Sequence, residues 1–202
     1  MSGTEDHYFT AEPASADERR RLTVRLVDRE VAVQTAPGVF SGSRLDPGTQ
    51  VLLRSVPAPP AEGDLLDLGC GWGPVALSLA MLSPGARVWA VDVNRRALDL
   101  VARNAAELGL DGIRTAEPDG VPADLRFATI WSNPPIRIGK PALHALLDDW
   151  LPRLAPGGAA WLVVQKSLGA DSLQGWIEQE LGMPVNRVAS SKGFRVLRVT
   201  RD

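Results

Sequence analysis

From Asp64 to Thr200 the chain alternates between short apolar runs and longer stretches where apolar residues recur every three or four positions. The short runs, Asp64–Leu68, Arg87–Val91, Ile113–Ala116, Phe127–Ser132 and Ala159–Val164, are too brief for helices and predict strands. The stretches between them, Pro74–Leu82, Arg95–Leu108, Leu143–Leu154 and Ser172–Leu181, predict amphipathic helices. Strands that alternate with helices in this way build a mostly parallel sheet covered on both faces. Two further strands, Val185–Ala189 and Phe194–Thr200, are joined only by Ser190-Ser191-Lys192-Gly193. That link is too short for a helical crossover, so the pair is predicted to be antiparallel.

The first third reads differently. Residues up to about Arg21 are polar and without period, and predict a loose tail held in part by Tyr8 and Phe9. Leu22, Val24 and Leu26, then Val31 and Val33, alternate with polar or small residues on either side of Asp28-Arg29, which predicts a hairpin with one apolar face. Ala36 to Leu45 is a glycine- and serine-bearing loop. Asp46 can cap a helix with Pro47 in its first position, continuing through Val51, Leu52 and Leu53. Val56 to Gly63 is proline-rich and reads as a linker. The predicted division is an N-terminal extension over residues 1–60 packed on a main domain over 61–202.

Composition narrows the class. The chain has 202 residues, 45% hydrophobic and 23% charged, enough for one good core. A formal charge of −2 does not announce a nucleic-acid binder, although a local basic patch stays open. One cysteine excludes a disulfide framework, and no apolar run approaches the ~20 residues of a membrane span. The polar, acidic start is unlike a signal peptide, so a soluble cytoplasmic protein is expected, with a monomer slightly favoured. Two histidines and a cysteine far apart show no metal spacing, and no metal is expected.

Against that background one segment stands out. Asp64-Leu65-Leu66-Asp67-Leu68 ends in Gly69-Cys70-Gly71-Trp72-Gly73 and a helix opens at Pro74. A strand, a glycine turn and a helix start form the layout of a nucleotide-type cofactor site. The spacing G-x-G-x-G differs by one from the dinucleotide pattern. The next strand ends in Asp92, followed by Val93; an acid there suits two ribose hydroxyls. Asp67 on the first strand would repel a pyrophosphate, so S-adenosylmethionine, which has an ammonium, a sulfonium and no phosphate, is favoured over NAD. The candidate cofactor residues are Asp67, Gly69, Cys70, Gly71, Gly73, Asp92 and Val93, with Asn133 further along the chain also expected to touch the cofactor, and with Cys70 a space-filler and no nucleophile. Trp72 is expected to cover the ligand.

Asn133-Pro134-Pro135 follows the strand Phe127–Ser132, at the carboxyl edge of the sheet beside the glycine turn. The prolines stiffen the loop, so the Asn133 side-chain oxygen and the Pro134 carbonyl can converge on one point. Two acceptors at one point suit a planar NH2 group. Holding both N–H bonds turns the amine's lone pair toward an incoming methyl, and no strong base is required.

With these residues in view, the chain resembles the class I S-adenosylmethionine-dependent methyltransferases. More narrowly, it is similar to the RsmC-type 16S ribosomal RNA guanine-N2 methyltransferases in a single-domain form. The resemblance rests on Asp6-His7-Tyr8-Phe9, on Ala36-Pro37-Gly38-Val39-Phe40-Ser41, and on Leu45-Asp46-Pro47-Gly48-Thr49. It also rests on Asp67–Gly73, on Asn133 through Lys140, on Gln165 through Ala170, and on Lys192 through Leu197. It implies a Rossmann-like α/β fold whose seven-stranded sheet has its last strand reversed, and S-adenosylmethionine as cofactor. It implies cofactor contacts at Asp67, Gly69, Gly71 and Asp92, with Asp119 near the adenine, and amine binding by Asn133 with Pro134. The implied partner is ribosomal RNA or the small ribosomal subunit. Larger members carry a further N-terminal domain, so here the catalytic domain or a partner is expected to supply RNA affinity.

Many amine-directed relatives have an aromatic residue after Asn-Pro-Pro; Ile136 stands here. Phe40 is the candidate stacking residue, with packing of the hairpin as the other reading. Arg137, Lys140, Lys166, Lys192 and Arg195 are either a grip for RNA phosphates or a solvated basic rim. His144 reads as structural. Adenine N6, a protein glutamine amide, a non-catalytic RNA assembly factor and an NAD-linked oxidoreductase remain as alternatives at this stage.

Overall fold

The computed structural model describes residues 18–201; the tail residues Asp6, His7, Tyr8 and Phe9 lie outside the described residues. The main sheet is built from β3 (Asp64–Leu68), β4 (Arg87–Val91), β5 (Ile113–Ala116), β6 (Phe127–Ser132), β7 (Leu154–Gln165), β8 (Val185–Ser191) and β9 (Phe194–Thr200). Its order is β5-β4-β3-β6-β7-β9-β8. β9 runs antiparallel to both β7 and β8, and the other neighbouring pairs are parallel. This is the seven-stranded sheet with a reversed last strand expected from the sequence. The chain order reverses at β3, where β4 lies on one side and β6 on the other, so the crevice for a ligand opens beyond the carboxyl ends of β3, β4 and β6.

Two cores sandwich the sheet. On one face α4 (Lys140–Trp150) and α5 (Ala170–Glu180) bury Leu143, Leu147, Leu173 and Ile177 against Leu66, Ile130 and Leu162. On the other face α1 (Pro47–Ser55), α2 (Pro74–Leu82) and α3 (Arg95–Leu108) enclose Leu52, Val75 and Val101 with Leu65, Trp131 and Val163. α2 is apolar nearly all round because it is covered twice: the hairpin β1 (Arg20–Leu26) and β2 (Arg29–Thr35) lays Val24, Leu26, Val31 and Val33 over Leu77 and Leu100.

Boundaries shift where local chemistry overrides the apolar pattern. α4 starts three residues before the predicted Leu143, because Gly139 (φ +94°) turns the chain and Pro141 suits a first helical turn. It stops at Trp150, and a short tight turn over Leu151–Arg153 follows, since Pro152 cannot continue the hydrogen-bond ladder. β7 begins five residues before the predicted Ala159, pairing Leu154 with Phe127 before a bulge.

The hairpin turn is also displaced. Leu26 pairs with Arg29, so Val27-Asp28 forms a two-residue turn, with φ of +47° and +61°. Left-handed backbone at a β-branched residue costs about 1–2 kcal/mol. Val27→Asn is therefore expected to raise stability by about 1 kcal/mol, read as a higher denaturation midpoint at unchanged m-value.

Candidate functional site

The glycine turn folds back on the end of β4. Gly69 and Cys70 donate their N–H groups to the Val91 carbonyl at 2.8 and 3.1 Å. The Asp92 carboxylate completes the lock, accepting from Gly71 N–H at 3.0 Å and from Asn94 N–H at 2.9 Å. Gly69 (φ +76°) and Gly71 (φ +54°) occupy left-handed backbone open to glycine at no steric cost. Burial raises the Asp92 pKa, against the lowering influence of the backbone N–H groups. Gly69, Gly71, Asp92 and Val93 face a cavity of about 380 Å³, within the ~300–1,000 Å³ typical of small-molecule sites. Val93 is 43% exposed there, which leaves an apolar surface uncovered.

Other members of the predicted cofactor set do different work. Asp67 is 1% exposed beneath the turn and off the large cavity, lining only a small neighbouring one with Cys70. Its Oδ2 accepts from Ala76 N–H at 2.8 Å. α2 is capped by Gly73, which has no side chain to satisfy the first-turn donors, so Asp67 serves as a remote cap. Burial pushes the Asp67 carboxyl up to about 8. That upward shift favours the protonated form and weakens any repulsion of a pyrophosphate by Asp67, so the choice of S-adenosylmethionine over NAD does not rest on this residue. A native carboxyl that keeps its proton while the unfolded one, at its ordinary value of 3.8, loses it makes stability fall as pH rises between about 4 and 8. Asp67→Asn is expected to remove up to about 1.4 kcal/mol per pH unit of that slope, measured by denaturant unfolding across the same range.

Gly73 (φ +97°) leaves no room for a side chain: a Cβ would lie 2.9 Å from Val101 Cγ2. It is a helix-packing position, not a cavity wall. Trp72 is 1% exposed and sits under the hairpin, its Nε1 donating to the Ser41 carbonyl at 3.3 Å. It fastens the extension rather than covering a ligand. Burial pushes the Cys70 thiol up, followed by the neighbouring Asp92 and Asp67, consistent with a space-filler.

The second loop meets the first across the same cavity: a Cβ on Gly69 would be 3.9 Å from Pro135 Cδ. Ser132 Oγ donates to the Leu68 carbonyl at 2.7 Å and ties the ends of β6 and β3 together. Pro135 (φ −75°, ψ 74°) forms an inverse γ-turn, in which Ile136 N–H donates to the Pro134 carbonyl at 2.8 Å. One lone pair of that carbonyl is thereby used and one remains. Asn133 is held from an unexpected quarter. Its Nδ2 donates to Asp46 Oδ2 at 2.8 Å and to Thr49 Oγ1 at 3.1 Å. Asp46 was predicted only as the cap of α1, a task it also performs by accepting from Thr49 N–H at 3.0 Å. With both amide hydrogens engaged, Asn133 has its Oδ1 left to accept at the cavity.

Phe40 lines the cavity and also packs on the glycine turn, its Cβ 3.7 Å from where a Gly71 side chain would begin. Asn94 and Arg96 pin its loop by donating to the Gly38 and Pro37 carbonyls at 2.8 and 2.7 Å. Ile136 and Arg137 line the cavity, joined by Leu168 and Phe194, which the sequence did not single out as individual site residues. Lys140 instead reaches Ser172 Oγ at 3.1 Å, and Arg195 pairs with Asp171. Lys166, Lys192 and Asp119 are exposed and do not line it; Pro118, beside Asp119, does. His144 stacks on Trp176 at 3.9 Å, a structural contact between α4 and α5. Among the described residues no cluster of His, Cys, Asp and Glu could hold a metal, and no helix is long and apolar enough to cross a membrane.

The methyltransferase small domain model matches residues 30–198. The uncharacterized Bacillus subtilis protein YbxB is 33% identical over 199 residues, covering 97% of this chain and 98% of its own. Ribosomal RNA small subunit methyltransferase C of Pseudomonas aeruginosa is 38% identical over 198 residues, and the chain spans 58% of its length. The solved T. thermophilus 16S rRNA N2-guanine methyltransferase (RsmC), in complex with AdoMet and guanosine, superposes with a TM-score of 0.78. That match covers 94% of this chain and 52% of the other at 24% identity, and speaks to the fold. The chain thus belongs to the methyltransferase small domain family and is an S-adenosylmethionine-dependent methyltransferase.

Proposed function

We propose that this protein methylates the exocyclic N2 amine of a guanine in small-subunit ribosomal RNA. The observation that carries the reading is the clamp: the Asn133 amide hydrogens are consumed by Asp46 and Thr49, which leaves its oxygen for a donor in the cavity shared with Gly69, Gly71 and Asp92. Support for the RNA target comes from the ribosomal RNA methyltransferases among its relatives.

The residues fit S-adenosylmethionine. Asp92 keeps lone pairs beyond its two backbone bonds, and these suit ribose hydroxyls. Val93, Leu68 and Pro118 offer apolar surface to an adenine, and the bare backbone of Gly69 and Gly71 lets the ligand approach closely. The cofactor, when bound, supplies an electrophilic methyl on a sulfonium.

Asn133 Oδ1 and the remaining lone pair of the Pro134 carbonyl each accept one N–H of the amine. Drawing on both bonds favours a pyramidal nitrogen, and the loop's stiffness fixes the direction of its lone pair. The acceptors stabilise positive charge as it develops on that nitrogen. As the nitrogen lone pair forms the N–CH3 bond, the S–CH3 bond breaks to a neutral thioether, and the resulting cationic nitrogen is acidic enough to release its proton to water without a dedicated base. Phe40 and Ile136 flank the cavity and hold the base, while Arg137 at its edge serves a phosphate. Residues 61–202 form the transfer domain, and residues 1–60 supply the loop and helix that complete it.

Mass spectrometry of ribosomal RNA nucleosides from cells with and without the gene tests this. Loss of an N2-methylguanosine signal, restored by the wild-type gene, is expected. An unchanged N2-methylguanosine signal, with N6-methyladenosine or a methylated protein glutamine lost instead, overturns it.

A further inference from the structure

Two carboxylates line the cavity among the described residues, and they hold different partners. Asp92 lies at the glycine turn; Asp46 lies against Asn133. Asp46 spends only one oxygen on structure. Its Oδ2 accepts both Thr49 N–H and Asn133 Nδ2, while its Oδ1 accepts no hydrogen bond among the described residues. That arrangement fixes which way Asn133 faces, because the reversed amide would set a carbonyl oxygen against a carboxylate. It also leaves one oxygen unengaged on a carboxylate that touches Asn133 and lines the same cavity.

The edges of the candidate substrates differ at this point. Guanine carries the donor N1–H next to its N2 amine, a run of donors. Adenine carries the acceptor N1 next to its N6 amine, and a glutamine amide carries its own carbonyl oxygen. A carboxylate next to Asn133 Oδ1 complements the first and repels the other two.

Resting on the guanine-N2 reading above, we propose that Asp46 sets the base specificity of the site: Oδ2 orients Asn133, and Oδ1 accepts the N1–H of guanine. The bond to N1–H is charge-assisted, the stronger kind. Asp46 is thus a positioning residue for Asn133 and a direct reader of the base, although it lies 87 residues away in sequence.

Nucleoside binding to protein saturated with S-adenosylhomocysteine tests this, followed by the side-chain amide NMR signals that Asn133→Ala removes. Guanosine, adenosine and 2-aminopurine riboside are the probes; the last keeps the 2-amine but has an acceptor at N1. Wild type is expected to bind guanosine about ten-fold or more tighter than 2-aminopurine riboside, the worth of about one charge-assisted hydrogen bond. Asp46→Asn, which can turn a donor to N1, is expected to erase that preference. Asp46→Ser keeps a good helix cap but is too short to reach Asn133, so it frees one of the two held amide hydrogens, leaves the one on Thr49 Oγ1, and shifts the Asn133 signals while the melting temperature stays close to wild type. Equal guanosine preference in wild type and Asp46→Asn, or unchanged Asn133 signals in Asp46→Ser, overturns the proposal. So does a wild type that binds adenosine as well as guanosine, or binds neither. Retained, Asp46-dependent guanosine preference with an unchanged ribosomal RNA profile would retire the ribosomal target and leave the role of Asp46 standing.

Discussion

Replacing Asn133 by alanine is expected to lower kcat for methyl transfer by roughly 10²–10³-fold, the usual cost of deleting one aimed hydrogen-bonding group at a reacting centre. The change removes an acceptor for the amine together with the two bonds that Asn133 Nδ2 gives to Asp46 and Thr49, while the neighbouring supports of the fold stay in place. Asp46 keeps its bond to Thr49 N–H, so α1 stays capped, and the strand-to-strand tie from Ser132 to Leu68 is untouched. Pro134 and Pro135 hold the loop in its γ-turn independently of the asparagine. The melting temperature and S-adenosylmethionine affinity should therefore stay near wild type. Single-turnover transfer of labelled methyl, beside calorimetric titration of the cofactor, separates the two quantities. If Asn133→Ala transferred methyl at the wild-type rate, the clamp would have no part in the chemistry.

Asp92→Ala is expected to strike the other half of the site. The carboxylate accepts from Gly71 and Asn94 backbone N–H groups and is proposed to accept from the ribose. Two charge-assisted bonds at about 1.5 kcal/mol each amount to about 10²-fold in cofactor affinity. Two backbone donors lose their partner as well, so stability should fall by about 1–3 kcal/mol. This double loss, in binding and in stability, distinguishes Asp92 from Asn133. The pH dependence has a definite sign. Burial raises the Asp92 pKa, and the ionised carboxylate is the better acceptor for hydroxyl donors. Cofactor affinity of the wild type should rise with pH through the shifted pKa, and that rise should vanish in Asp92→Ala. Affinity unchanged by the substitution would remove Asp92 from the cofactor site.

The two halves are joined by the N-terminal extension. Trp72 lies under the hairpin, Asn104 Nδ2 donates to the Gln34 and Trp72 carbonyls at 3.0 Å each, and Asp46 brings the cap of α1 onto Asn133. The segment that the sequence presents as an appendage to a cofactor-binding domain closes one wall of the cavity, through Phe40, Ser41 and Asp46.

The sequence by itself determined what depends on near neighbours. Short apolar runs and three-to-four-residue periodicity are local signals, and they yielded the strands, the helices and the order of layers. The glycine turn and Asn133-Pro134-Pro135 were legible because φ above zero and proline stiffness are properties of the residues themselves, and because both follow strands that end at one edge of a parallel sheet. Only the tertiary structure decided which of two acids meets the cavity. Asp67 and Asp92 look alike in the chain, yet one is sealed beneath α2 with its pKa near 8 while the other lines the cavity. It also decided that Gly73 exists for Val101, and that Lys140 and Arg195 are taken up by Ser172 and Asp171. The bond from Asp46 to Asn133 had no signal along the chain, since a hydrogen bond across 87 residues is fixed by how a helix seats on a sheet and not by spacing.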